Sequence, residues 1–244
     1  MGANTLKRMP HVAAVVLAAG RSSRMGTHKL LLPLDGEPIV RRTVRQVCEA
    51  GFDEVLVIVG YEYQNVLAAL DGLPIHHVVN ADYATGMGSS FRTAVGYLTN
   101  VAESRNQDPE RKRRQRAGTA LSQRVGVGPH ATEEGPREKV RNDAAMFALA
   151  DQPFVAARDY RSLLDAYIAE RPGIVSMRYG DVTAPPHLFA RAFYPELAVL
   201  QHGARPVLER HAGETLVLQL PRELLEDIDT PEDYERAKSL LKNR

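Results

Sequence analysis

Glycines and cationic side chains are concentrated in one short loop near the start of the chain. The loop belongs to segment 17–32, LAAGRSSRMGTHKLLL, which overlaps the end of an apolar run at 12–17. Its glycines and cations are Gly20, Arg21, Arg24, Gly26 and Lys29. Glycine lets backbone N–H groups approach an anion, and cations neutralise charge that would repel an incoming nucleophile. A buried strand that leads into such a loop indicates a triphosphate-binding site.

The spacing within this loop excludes two better-known phosphate-binding motifs. Gly26 is followed by Thr27 and His28 before Lys29, so the pattern G-x-x-x-x-G-K-[ST] does not occur here. The loop does not contain G-x-G-x-x-G either. The sequence therefore supports neither a P-loop NTPase nor a standard dinucleotide-binding fold. The structural alternative is that this segment is only a surface turn.

A carboxylate follows a second apolar run. Asp151 begins the tripeptide DQP, just after the predicted strand 144–149. An aspartate at the carboxyl end of a strand, beside a triphosphate loop, suits Mg²⁺, which takes oxygen ligands and bridges to phosphate oxygens. The alternative for Asp151 is a helix N-cap, because Asp caps well and Pro153 suits a first helical turn.

Two further carboxylates lie near the end of the sequence. Asp227 and Asp229 are two residues apart, and on an extended segment such side chains point the same way. One of them can offer the metal a second oxygen ligand. The residues that follow, Thr230-Pro231-Glu232-Asp233, also form a good helix start, so capping explains much of this segment.

Strands and helices alternate along the chain. Strands are predicted over 12–17, 55–59, 75–79, 144–149, 174–177 and 216–220. Helices are predicted over 38–50, 64–70, 88–100, 158–170 and 231–241, with Ser89 and Ser90 as caps of the third and Thr230 as the N-cap of the last. This order predicts an α/β, doubly wound, mostly parallel sheet with helices on both faces. Ligands bind such sheets at the carboxyl ends of the strands, where the glycine-rich loop falls.

Segment 103–142 does not fit this alternation. It has almost no apolar periodicity, and residues 111–116 are basic at five of six positions. A structureless connection of this length is abnormal inside a compact domain, so we interpret it as an insertion. It is either a disordered, solvated loop or a basic lid or docking arm, and the sequence leaves both open.

Bulk properties narrow the class of protein. The 244 residues are 44% hydrophobic and 25% charged with a net charge of +1, which predicts one soluble domain and gives no reason to expect a nucleic acid or membrane partner. A lone cysteine, Cys48, excludes an intrachain disulfide framework. We expect a cytoplasmic protein, because we find no targeting segment and no apolar run near the roughly 18 to 20 residues of a membrane span.

Segment 17–29 resembles the signature of the MobA-like nucleotidyltransferases, L-A-[AG]-G-x-x-x-R-[MF]-G-x-x-K, at every fixed position. The family includes molybdenum-cofactor nucleotide transferases and implies a Rossmann-like nucleotidyltransferase fold, here over residues 10–244. The resemblance implies that Lys29, Arg24 and Asp151 are catalytic. It implies that the nucleotide is bound by Leu17, Ala18, Ala19, Gly20, Arg21, Ser22, Gly26 and Lys29. The LAAG form with Ala19 is similar to the cytidylyl (MocA-type) branch and points to CTP.

Other segments extend the resemblance. The DQP and DIDTPED segments imply metal binding by Asp151 and Asp229. The stretch NADYATGMGSS, with Asn80, Gly86, Gly88 and Ser90, implies residues that help to hold the base and ribose. Segments similar to G-x-P-x-x-F and G-D-x-G-A-R imply acceptor binding by Pro185, Pro186 and Arg205. Two departures, Ala184 for glycine and Gln201-His202 for Gly-Asp, indicate a different grip on the acceptor. We interpret His187 and His202 as surface or core-edge histidines.

The resemblance as a whole implies transfer of CMP from CTP to the phosphate of a molybdopterin-type cofactor. Mg²⁺ is the expected metal, with Mn²⁺ as an alternative. An apo-molybdoenzyme of the xanthine dehydrogenase type is a candidate recipient of the product. Two alternatives remain open: the same chemistry with GTP or with a sugar or alditol phosphate, and a non-catalytic maturation factor that binds the cofactor.

Overall fold

The computed structural model describes residues 8–22, 25–99 and 142–242. Its strands are β1 (Val12–Ala18), β2 (Pro33–Leu34), β3 (Glu37–Pro38), β4 (Glu54–Val59), β5 (His76–Val79), β6 (Ala144–Leu149), β7 (Ile174–Tyr179), β8 (Val182–Ala190) and β9 (Thr215–Leu220). Its helices are α1 (Ile39–Glu49), α2 (Tyr63–Ala69), α3 (Met87–Thr99), α4 (Ala157–Glu170), α5 (Tyr194–Ala198), α6 (Arg205–Arg210) and α7 (Pro231–Lys242).

Seven of these strands form one sheet in the order β5-β4-β1-β6-β8-β7-β9, while β2 and β3 form a small hairpin. Neighbouring strands are parallel except at β8, which is antiparallel to both β6 and β7. β1 is buried at every position because it lies at the centre of the sheet between β4 and β6. Its unbroken apolar sequence is therefore the pattern of a strand covered on both faces.

Helices cover both faces of this sheet. One core contains residues of α1 and α4, such as Val44 and Leu163. They pack with the residues of β1 that point to the same face of the sheet, such as Val16. The other core contains residues of α3 and α5, such as Phe91 and Leu197. The predicted fold class, a mostly parallel sheet between two helical layers, is confirmed.

Five of the named elements were missed by the sequence prediction: the two-residue strands β2 and β3, the long strand β8, and the helices α5 and α6. Two adjacent prolines, Pro185 and Pro186, argued against a strand because proline cannot donate to a sheet ladder. The structure accommodates them where the register between β7 and β8 shifts, next to Ser176 and Met177. The helices α5 and α6 are only 5 and 6 residues long, too short for a recognisable helical period.

The starts of α7 and α3 differ in the residues that cap them. At α7, the N–H of Asp233 donates to Thr230 Oγ1 at 3.2 Å and the N–H of Thr230 donates to Asp233 Oδ2 at 2.8 Å, which is a reciprocal capping box. At α3, the helix begins at Met87, so Ser89 and Ser90 lie inside the first turn rather than before it. The predicted Thr230 cap is confirmed, and the predicted serine caps are shifted into the helix.

The predicted insertion lies outside the described residues, apart from Asn142, which is buried beside the start of β6. Among the described helices, none has the length and apolar composition needed to cross a membrane.

Candidate active site

Lys29, Asp151 and Asp229 meet at one point although they are far apart in the sequence. Lys29 starts the short 3-10 turn Lys29–Leu31 after the glycine-rich loop, Asp151 follows β6, and Asp229 precedes α7. The Lys29 ammonium donates to Asp151 Oδ2 and to Asp229 Oδ1, each at 2.6 Å. Asp151 therefore forms an ion pair at the strand end, and the structure gives it no helix-capping bond.

The lysine at this point is held in its charged form. Its side chain is only 12% exposed. Burial alone would lower the pKa of Lys29, but the charge of Asp151 and the hydrogen bonds to Asp151 and Asp229 raise it above its ordinary value. A protonated lysine fixed beside two carboxylates is a preorganised positive charge for a phosphate.

Asp227 takes a supporting position next to this cluster. Its Oδ1 accepts a hydrogen bond from Gln152 Nε2 at 3.0 Å. Burial and the negative charges of Asp151 and Asp229 raise its pKa, while the bond from Gln152 and the Lys29 charge oppose that shift. Asp227 thus orients the residue that follows Asp151.

The donor set at the cluster fits a divalent cation. Mg²⁺ commonly binds one or two carboxylates and completes its shell with water and substrate phosphates. Asp151 and Asp229 supply two carboxylates that already share one cation, the Lys29 ammonium. Within the described ranges, no three His, Cys, Asp or Glu side chains converge as a protein-only metal site. The chemistry therefore suits a metal that arrives with phosphate.

A cavity of about 290 Å³, which we call the loop cavity, opens beside the cluster. It is lined by many of the residues expected to bind a nucleotide or metal: Leu17, Ala18, Ala19, Gly20, Ser22, Lys29, Ser90, Asp151 and Asp229. Gly86 of the NADYATGMGSS stretch lines it too, whereas sequence reasoning missed Leu30, Tyr83, Met87 and Leu149. Met87 lies in the same stretch, so that motif was the available signal for it.

Arg21 and Gly26 lie on the outer side of the same loop. Both line a neighbouring groove of about 450 Å³, and the Arg21 guanidinium lies over the Tyr83 ring, 5.2 Å from its centroid. Gly26 has φ +67 and Ser22 has φ +55, left-handed conformations that glycine adopts without strain and serine does not. Arg24 lies outside the described residues.

Asn80 is buried behind the loop cavity, and both polar atoms of its side chain form hydrogen bonds within the protein. Its Nδ2 donates to Ser89 Oγ at 2.8 Å and to Ser90 Oγ at 3.1 Å. Its Oδ1 accepts from the N–H of Asp82 at 3.0 Å. Asn80 therefore fixes the first turn of α3, and through it positions Ser90 at the cavity wall.

Gly88 joins the start of α3 to the segment before α6. Its N–H donates to the carbonyl oxygen of Gln201 at 3.2 Å. A Cβ at Gly88 would lie 2.1 Å from the oxygen of Leu200, so only glycine allows this approach. The structure places Gly88 in this contact and not on the cavity wall.

A second cavity of about 660 Å³, which we call the β8 cavity, adjoins the first. The two cavities share Leu17, Met87 and Leu149 as lining residues. Of the residues expected to bind the acceptor, Pro185 and Arg205 line the β8 cavity, whereas Pro186 is buried within β8. Arg205 is exposed and donates to Glu209 at 2.7 Å.

His187 differs from the sequence interpretation. It is 5% exposed, lies within β8, and lines the β8 cavity. It is therefore not a surface residue, and the signal that could have identified its position was hidden with the missed strand. His202, by contrast, is exposed.

Comparison with known proteins agrees with this fold. A family model described as the MobA-like NTP transferase domain matches residues 14–216. The purine catabolism protein PucB of Bacillus subtilis is 30% identical, over 96% of this chain and 99% of that protein. The nicotine blue oxidoreductase of Paenarthrobacter nicotinovorans is 30% identical, over 72% of this chain and 80% of that protein.

A solved structure is similar over almost its full length. Rv0371c of Mycobacterium tuberculosis is 28% identical with a TM-score of 0.64, covering 94% of this chain and 98% of that one. Another structure of Rv0371c is a complex with manganese. The present chain belongs to the MobA-like nucleotidyltransferase family.

Proposed function

We propose that this protein transfers CMP from CTP to the phosphate of a molybdopterin-type cofactor and releases pyrophosphate. The observation that carries the proposal is the cluster of Lys29, Asp151 and Asp229 at the wall of the loop cavity. Nucleotidyl transfer needs fixed positive charge and carboxylates for a metal beside the phosphates, and this cluster offers both. The acceptor is the finer part of the proposal and rests on the motif resemblance.

In the proposed reaction, an oxygen of the acceptor phosphate attacks the α-phosphorus of CTP as the bond to pyrophosphate breaks. Most of the rate enhancement comes from positioning and charge stabilisation, because the acceptor phosphate is already anionic and needs no strong base. Lys29 stabilises the negative charge on the phosphates. Arg24 has the same role in our proposal.

Asp151 and Asp229 would hold Mg²⁺, or Mn²⁺ as an alternative. When bound, the metal neutralises and orients the phosphate oxygens. The manganese complex of Rv0371c supports a divalent metal in a relative. Asp227 keeps Gln152 in place and is not a proposed ligand.

The nucleotide would occupy the loop cavity, along Leu17, Ala18, Ala19, Gly20, Ser22 and Ser90. Arg21 and Gly26 would act from the outer side of the loop, and Asn80 and Gly88 through the position of α3. The Ala19 side chain is 5% exposed and narrows the cavity, which favours the smaller base of CTP over GTP. The shared wall of the two cavities supports an acceptor in the β8 cavity, along Pro185 and Arg205, with Pro186 shaping the strand.

The proposal also covers the location, partners and domain organisation of the enzyme. We propose a cytoplasmic enzyme with no nucleic acid or membrane partner, organised as one domain over 10–244 with an insertion at 103–142. An apo-molybdoenzyme of the xanthine dehydrogenase type would receive the product. Transfer with GTP or to a sugar or alditol phosphate is the nearest alternative, and a non-catalytic cofactor carrier is the distant one.

Pyrophosphate release tests the proposal. The purified protein is mixed with Mg²⁺, molybdopterin-type cofactor and CTP, GTP, ATP or UTP in turn. We expect release with CTP to dominate, and Ala19→Gly to raise the relative rate with GTP. Asp151→Asn should abolish release, whereas Asp165→Asn, an exposed aspartate on α4, should not. Release that is unaffected by Asp151→Asn, or that requires another nucleotide, would contradict the proposal.

A further inference from the structure

One row of side chains crosses the wall of the β8 cavity. Strand register places Phe147 of β6 opposite His187 of β8, His187 opposite Ser176 of β7, and Ser176 opposite Val217 of β9. All four line the cavity. Because they are neighbours on one face of the sheet, His187 is a polar group built into an otherwise largely apolar stretch of wall.

The imidazole of His187 is held in place and neutral. Its Nδ1 lies 2.9 Å from Ser176 Oγ, and its ring meets the Phe189 ring edge-on with centroids 6.2 Å apart. Burial lowers the pKa of His187 to about 3, so the ring carries no charge at neutral pH. A neutral imidazole offers one N–H donor and one acceptor nitrogen.

The contact with Ser176 occupies one imidazole nitrogen, Nδ1. Ser176 Oγ also donates to the carbonyl oxygen of Met177, at 3.5 Å. If the hydroxyl proton is used there, Oγ accepts from Nδ1–H of His187, and the lone pair of the imidazole is on Nε2. His187 lines the β8 cavity, and among the described residues its imidazole is hydrogen-bonded only through Nδ1, so Nε2 is the nitrogen left for a ligand.

The rest of the cavity suits a flat ligand with an anionic end. Phe91 and Phe147 stack with ring centroids 4.9 Å apart and both line the wall. Two arginines and two acidic residues lie along the same cavity, and Arg205 is paired with the acidic Glu209, which leaves Arg178 beside Asp181. Across the part of the chain that the structure describes, Arg178 has no ion pair with an acidic side chain, so it is open to an anion.

We propose that His187 is a specificity-determining residue for the acceptor, and that its Nε2 accepts a hydrogen bond from an N–H or O–H of the acceptor's ring. The ligand class is a neutral nitrogen heterocycle that lies along Phe91 and Phe147 and carries its phosphate towards the loop cavity. The pterin of a molybdopterin-type cofactor belongs to this class. The inference rests on the proposed function, because it assigns the acceptor to the β8 cavity.

Equilibrium binding separates this inference from the proposed function. Molybdopterin released from a molybdoenzyme under reducing conditions is titrated into wild-type protein, His187→Phe and His187→Gln, and followed by the absorption of its pterin ring. CTP with Mg²⁺ is titrated in parallel by calorimetry. We expect His187→Phe to weaken molybdopterin binding about tenfold or more, with CTP binding unchanged. His187→Gln should recover part of the loss through its amide oxygen.

Ser176→Ala is the second variant, because it keeps His187 and removes only the partner of Nδ1. It should weaken molybdopterin binding by a smaller factor, since the tautomer is no longer fixed.

Equal molybdopterin binding by wild type and His187→Phe would overturn the inference and leave the proposed function standing. Equal loss of CTP and molybdopterin binding in His187→Phe, with Ser176→Ala at wild-type affinity, would reduce His187 to a structural residue. Absence of molybdopterin binding by the wild type would overturn both.

Discussion

At the scale of single residues, the Lys29 ammonium occupies the position of a shared cation. It is bonded to both Asp151 and Asp229, the two carboxylates that would hold a metal. Two carboxylates this close repel each other unless a positive charge lies between them. The lysine therefore keeps the site assembled, and competes with any metal that binds without a nucleotide.

Replacement of this lysine tests that competition. In Lys29→Met, turnover should fall by about 10²-fold or more, because fixed charge at the phosphates is lost. The nucleotide-free variant should at the same time bind Mn²⁺ more tightly than the wild type, because the two carboxylates lose their internal cation. The electron paramagnetic resonance signal of free Mn²⁺ measures this directly.

An exposed lysine provides the control for this substitution. Lys238→Met on α7 changes the same atoms at a distance from the cluster and should alter neither turnover nor Mn²⁺ affinity. Weaker Mn²⁺ binding in Lys29→Met than in the wild type would show that the ammonium does not compete for the carboxylates.

At the scale of elements, α3 links the two cavities. Its first turn carries Ser90 at the loop cavity, while the N–H of Gly88 bonds to Gln201 in the segment that leads to α6. A glycine is required because the backbone of Leu200 lies where a Cβ would project. In the proposed reaction, this backbone contact would help to set the distance between nucleotide and acceptor.

Two glycines of the same helix provide a matched pair of variants. Gly88→Ala should destabilise the protein by about 1–3 kcal/mol, because the methyl group forces α3 away from Leu200. Gly96→Ala meets nothing within 4 Å and should stabilise it by about 0.5–1 kcal/mol. Urea denaturation of both variants measures the two free energies, and equal effects would refute the close approach at Gly88.

The sequence predicted most elements because their signals are local. β1 and residues 55–59 of β4 are continuous apolar runs, and α7 begins with a capping box formed within four adjacent residues. The loop and the end of β6 likewise indicated Lys29 and Asp151, and the family resemblance added Asp229. Antiparallel β8 was missed because its prolines contradict strand propensity, and the register shift that accommodates them is a tertiary feature. The burial of His187 and the close approach at Gly88 likewise depend on contacts between residues that are far apart in the sequence.

At the scale of the whole molecule, His187 makes stability depend on pH. The pKa of a histidine in the unfolded chain is about 6.5, and burial lowers that of folded His187 to about 3. Below about pH 6.5 the unfolded chain takes up a proton that the folded protein does not. The stability associated with this residue is therefore complete above pH 6.5 and is lost progressively as the pH falls towards 3.

Replacement of His187 should remove this pH dependence. Between about pH 7 and pH 4, the wild type should lose up to about 1.4 kcal/mol per pH unit relative to His187→Phe. Urea denaturation at several pH values measures the difference. His202→Gln, at an exposed position, is the control and should follow the wild type. Parallel curves for the wild type and His187→Phe would mean that His187 takes up its proton over the same pH range in the folded and unfolded states.

The two cavities lie side by side along the sheet and share Leu17, Met87 and Leu149. We propose that a nucleotide bound in one cavity reacts with an acceptor bound in the other. The most direct measurement follows the α-phosphate of CTP. CTP labelled at the α-phosphate is incubated with the protein, Mg²⁺ and molybdopterin-type cofactor, and the cofactor is then isolated by chromatography. We predict that the label enters the cofactor in equal amount to the pyrophosphate released. Label found only in CTP or free CMP, with the cofactor unlabelled, would contradict transfer of CMP to the cofactor.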